Sequence, residues 1–108
     1  MSPSQLEIKV RALQRLVKEE SYYQQELKEQ TELVEKLKKD KDFDPYDLKK
    51  QQEVQKDTEN LLPTLYRKIR EFKENLEQFL ATYQGNESLE TAKSAIDSAN
   101  ELLKGHDN

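Results

Sequence analysis

Cysteine is absent from this chain of 108 residues, so neither a disulfide nor thiolate chemistry is open to it. Tryptophan is absent as well, and there are only two glycines, three prolines and one histidine. No glycine-rich phosphate loop can be assembled from so few glycines. The single histidine, His106, lies beyond the last predicted helix, in a tail expected to fray. No apolar run approaches the ~18 residues that a membrane span needs, and no secretory leader is read at the start. Basic residues never form a stripe. Residues 1–40 carry eight acids and eight bases, residues 41–62 sum to -2, residues 63–84 to +1, and residues 85–108 to -3. Phosphate neutralisation by a basic face is therefore not expected, which sets nucleic acid aside as a partner. Together these absences point to a soluble intracellular protein that is not an enzyme, carries no cofactor, and binds neither membrane nor nucleic acid.

What the chain does have is charge in register. Charged residues make up 37% of it and hydrophobic ones only 33%, yet the net charge is just -4. Disorder would fit so polar a composition. The interspersed signs and the helical recurrence of apolar residues argue instead for long helices packed along a narrow seam. The predicted fold is all-α: an elongated antiparallel three-helix bundle, one domain over residues 1–108, with two long helices and one shorter.

Helix one is read over about 3–39. Ser2 as N-cap with Pro3 in the first turn gives one start, and Ser4 with Glu7 a second capping-box register. Leu6, Val10, Leu13 and Val17 open its seam, and Leu16, Tyr23, Leu27, Val34 and Leu37 continue it. Asp44, Pro45 and Asp47 mark the next start, with Phe43 and Leu48 placed as a hydrophobic staple. Helix two then runs over about 45–84, up to Gly85 as a left-handed residue after its end. Its heptads place Leu48, Gln55, Leu62, Ile69, Leu76 and Tyr83 at one seam position, and Gln51, Thr58, Leu65, Phe72 and Phe79 at the other. Helix three is read over about 87–104, stopping before Gly105, with Leu89, Ala92, Ile96, Ala99 and Leu103 as its buried stripe.

Helix three is half as long as its companions, so it can cover only part of them. Pro63 falls where the seam of helix two changes from polar to apolar, and is expected to bend that helix where three strands of the bundle become two. On the flank of helix one at positions 8, 12, 15, 19, 22, 26, 29 and 33, helix three should bury Ile8 and Ala12. Tyr22 and Leu33, further along, would have no internal partner. Tyr22 and Tyr23 point about 100° apart on a helix, so both cannot enter one seam. Exposed aromatics ringed by charge make a protein-binding surface, and ordinary amphipathic tyrosines are the bland counterpart. Tyr46 and Tyr66 carry the same two readings. Pairs such as Glu7 with Arg11, Glu32 with Lys36 and Glu35 with Lys39 read as a solvated helix face.

Four stretches, RLVKEESYY (Arg15–Tyr23), PYDLKKQ (Pro45–Gln51), NLLP (Asn60–Pro63) and AKSAIDSA (Ala92–Ala99), closely resemble the tubulin-binding cofactor A family, its fungal members most of all. The resemblance runs from about Gln5 to Lys104. It implies a three-helix rod that captures β-tubulin after the cytosolic chaperonin and holds the folding intermediate for αβ-heterodimer assembly, without nucleotide. It also implies a cytoplasmic, microtubule-associated setting. β-Tubulin is the implied partner, with other tubulin-folding cofactors and a second copy of the chain as further candidates. Fungal members are associated with homodimers and others with monomers, which the sequence leaves open. The contact candidates are Lys18, Tyr22, Tyr23, Leu33, Tyr46, Lys49, Lys50, Tyr66, Arg67 and Arg70, combining aromatic anchors with steering towards an acidic partner.

Rival folds fit less well. A spectrin-like repeat wants three helices of equal length and usually a buried tryptophan. A prefoldin-like subunit wants strand hairpins, for which residues 40–44 are too few. A homodimeric coiled-coil scaffold is the alternative of a different class.

Overall fold

The computed structural model describes residues 2–107. Three helices follow one another: α1 (Gln5–Lys39), α2 (Pro45–Ala81) and α3 (Glu90–Asp107). They form a bundle measuring 65 × 35 × 18 Å. Antiparallel pairing of α1 and α2 is pinned by side-chain bonds along its length, from Lys9 with Asn75 (2.7 Å) to Thr31 with Gln55 (3.0 Å).

The cap of α1 uses the Ser4 register. Ser4 Oγ accepts from the Glu7 amide at 3.1 Å and donates to Glu87 Oε2 at 2.8 Å. One hydroxyl thus caps α1 and holds the approach to α3, which leaves Pro3 outside the helix rather than in its first turn. At the next boundary Asp44 accepts from the Tyr46 amide at 2.9 Å, and Pro45 opens α2.

Three further expected boundaries move. Helix α2 stops at Ala81, not near Gln84, because its last amides turn to tighter partners: Thr82 to Phe79 and Tyr83 to Leu80. Gly85 does not adopt a positive φ. It is small for another reason. The Tyr83 phenol folds over it to donate to Glu87 at 3.0 Å, and a Cβ at Gly85 would run into that ring. With Glu87 engaged in this loop, α3 begins at Glu90 rather than 87. At its other end α3 runs through Gly105 to Asp107, past the expected stop at Lys104. His106 stacks on Tyr66 with ring centroids 3.7 Å apart, and Asp107 pairs with Arg70. These two contacts hold a last turn that would otherwise fray.

One hydrophobic cluster fills the end of the bundle where α3 lies. Leu13, Ile69 and Leu76 are its fully buried large side chains, and α3 contributes Ala92, Ala95, Ala99 and Leu103. Small residues let the α3 backbone sit close to its neighbours at the cost of little reach. Beyond Tyr66 only α1 and α2 remain. There Val34 and Thr58 are buried, and the Thr58 hydroxyl is satisfied within its own helix by the Val54 carbonyl at 3.2 Å. The Gln30 side-chain oxygen is buried here without a hydrogen-bond partner among the described residues. The three-to-two changeover therefore falls at Tyr66, three residues after Pro63. Pro63 itself is exposed, and α2 is continuous through it.

Candidate partner-binding surface

The side on which α3 packs decides which surface is left open. α3 borders α1 along Gln14, Val17, Ser21 and Gln24. This is the flank opposite to the Ile8–Ala12 stripe, so the expectation that α3 buries Ile8 is overturned. Ile8 is 54% exposed and shares an open groove with Ala12 and Phe72. Phe72 also departs from its seam position and is 38% exposed. Its position follows from the helix geometry. Tyr66 packs towards α3 through His106, and Phe72, six residues on and about 120° away around the helix, falls at the far edge of the interface.

Tyr66 and Arg70 leave the set of surface candidates. Tyr66 is only 4% exposed. Its hydroxyl donates to Glu20 Oε2 at 2.6 Å and accepts from Gln24 Nε2 at 3.0 Å, while its ring carries His106. Burial, and next the bond to Glu20, hold the phenol in its protonated form and push its pKa above the ordinary 10.0. Arg70 is taken by Asp107, and its hydrogen bond is the first cause that lowers that carboxyl's pKa. Tyr66 thus joins all three helices, and Arg70 joins α2 to α3.

The other candidates remain at the surface to different degrees. Tyr22 is 61% exposed, with the Lys18 ammonium 5.8 Å from its ring centroid. Tyr23 is half-buried against the core, so the two tyrosines divide as the helical angle requires. Leu33, Tyr46, Lys49, Lys50 and Arg67 are exposed. Tyr22 and Leu33 share the open flank of α1. Tyr46, Lys49 and Lys50 sit near the hairpin tip, apart from them. Sequence reasoning passed over Ile8, Phe72, Leu61 and Val54 as exposed apolar groups. Val54 and Leu61 did carry a signal, since they lie seven residues apart and off both seam positions.

Among the described residues no cluster of histidine, cysteine and carboxylate side chains is arranged to hold a metal ion, and no helix is long and apolar enough to cross a membrane. The surface offers apolar and aromatic groups on a two-helix face, which suits recognition of another polypeptide.

Comparison with known proteins agrees with the architecture. Residues 1–103 match the family described as tubulin binding cofactor A. The chain is 70% identical to tubulin-specific chaperone A of Saccharomyces cerevisiae over 103 residues, covering 95% of this chain and 97% of that one. It is 33% identical to the Homo sapiens protein of the same description over 91 residues, covering 84% and 83% respectively. A solved structure described as Rbl2p, β-tubulin binding post-chaperonin cofactor, superposes with a TM-score of 0.87 at 69% identity, covering 94% of this chain and 99% of that one. The order of the helices, their unequal lengths and this near full-length agreement lead to one assignment: the chain belongs to the tubulin-binding cofactor A family.

Proposed function

We propose that this protein is a holding chaperone for β-tubulin. It captures the folding intermediate released by the cytosolic chaperonin and keeps it available for αβ-heterodimer assembly. The observation that carries this reading is the 70% identity, over 95% of the chain, to a tubulin-specific chaperone.

The physical requirements are modest, and the fold suits them. A holdase needs a long, pre-formed surface that masks part of an aggregation-prone partner. It binds the partially folded state and shifts its population by mass action, with neither nucleotide nor covalent chemistry. The protein therefore acts without catalysis, in the cytoplasm alongside the microtubule cytoskeleton. Its contact candidates are Lys18, Tyr22, Tyr23, Leu33, Tyr46, Lys49, Lys50 and Arg67.

The test is a pull-down with the purified chain against chaperonin-released α- and β-tubulin. Selective recovery of β-tubulin, without added nucleotide, is the expected result. Equal recovery of both tubulins, or of neither, would refute the reading and favour a coiled-coil scaffold.

A further inference from the structure

Most of the exposed large apolar side chains gather on one flank of the protein, with Phe43 and Tyr46 apart from them at the hairpin tip. Ile8, Ala12 and Phe72 line an open groove of about 430 Å³ between α1 and α2. Further along the same helix pair, Tyr23 and Leu61 line a second groove of about 170 Å³. Val54 continues the row two helical turns before Leu61, and Leu33 continues the α1 row that begins at Ile8. All are on the flank away from α3. At 1.5 Å per residue the row from Ile8 to Leu33 is ~38 Å long, and two helices side by side are ~20 Å wide. The face is thus on the order of 800 Å², what one partner contributes to a stable protein interface.

We infer that this face is the docking surface for an amphipathic helix of incompletely folded β-tubulin, lying between α1 and α2 opposite α3. The inference rests on the reading of the protein as a β-tubulin chaperone and adds where and how the partner binds. The molecule contains its own template for the occupant. On the other flank, α3 lies along the same pair of helices and presents Ala92, Ala95, Ala99 and Leu103 to them. The open flank carries two recesses between its side chains, so its occupant supplies apolar side chains long enough to fill them. The recesses are about eight to eleven residues apart along the helices, which is two to three turns, the spacing of anchors on one face of a helix. Lys9 and Glu71 edge the first recess, and Glu19 and Lys68 the second. Charges of both signs suit the mixed polar edge of an amphipathic helix better than a uniformly acidic or basic segment.

The test uses the double variant Ile8→Glu with Leu61→Glu. Both side chains are more than half exposed, so the fold should tolerate the change. Helicity and melting temperature should stay as in the wild type, while β-tubulin capture falls at least tenfold. Lys93→Glu, on the outer side of α3, serves as the control and should capture normally. Wild-type capture by the double variant would overturn the inference. So would a wild-type dimer that the double variant converts to monomer with capture unchanged, because the face would then belong to a second copy. If the wild-type chain captures no β-tubulin, the chaperone reading itself fails, and the two failures are told apart.

Discussion

Pro63→Ala is expected to raise the melting temperature of the protein by about 8 °C. Pro63 lies in the interior of α2, where it leaves the Glu59 carbonyl without its helical donor and crowds the preceding turn. Proline costs ~3 kcal/mol relative to alanine at such a position. Two effects reduce the gain. The Glu59 backbone is on an exposed stretch, where water serves as the missing donor. Alanine also frees the unfolded chain, by ~0.4–1 kcal/mol. A net gain of about 2 kcal/mol remains, and ~4 °C per kcal/mol is reasonable for a chain of this length. Thermal unfolding followed by circular dichroism reads it directly. An unchanged or lower melting temperature would show that the proline improves packing at the three-to-two changeover by as much as it costs the helix.

Leu13→Ala is expected to have the largest effect in the opposite direction. Leu13 is fully buried in the cluster shared by all three helices. Removing it deletes the transfer energy of the lost methyl groups and leaves a cavity, together ~3–4 kcal/mol. The cavity is hard to refill because α3 presents mainly alanines there, and an alanine methyl has no rotamer that could swing inward. Total stability in domains of this kind is ~5–15 kcal/mol, so the variant is left marginally folded. The same substitution at Leu61, which is 51% exposed, should change stability by about 0.5 kcal/mol or less. Urea unfolding of the two variants side by side makes the comparison. Equal destabilisation would mean that the Leu61 face is structural and not held open for a partner.

Much of the fold could be read from local signals, because those signals are themselves local physics. The Asp44–Pro45 start is an N-cap followed directly by a residue with no amide N–H to satisfy. Helix faces follow from apolar spacing in the same way. What was not legible required distant partners. Ser2 and Ser4 offer equivalent caps until Glu87, 83 residues from Ser4, selects one of them. Tyr66 resembles a surface aromatic beside Arg67 and Arg70, yet Glu20, Gln24 and His106 reach it from two other helices. His106 helps hold the last turn of α3 for the same reason.

The side taken by α3 was the least legible feature. A heptad pattern defines a seam between two helices, but either flank of that seam can receive a third. On α1 one flank carries Ile8 and Ala12, the other Val17 and Ser21, and composition alone does not rank them. The Ile8–Leu33 flank, expected to be partly consumed inside the bundle, instead lies open. The candidate surface consequently lost Tyr66 and Arg70 to internal contacts and gained Ile8 and Phe72.

The proposed docking requires α3 to cover one flank of the α1–α2 pair and a β-tubulin segment to use the other. Oxidative side-chain footprinting of the chain, alone and in complex with β-tubulin, tests this most directly. Ile8, Tyr22, Leu33, Leu61 and Phe72 should be labelled in the free chain and protected together in the complex, while the outer side of α3 stays equally reactive in both. Protection of α3, or of the hairpin tip around Tyr46, with the Ile8–Phe72 groove still labelled, would contradict it.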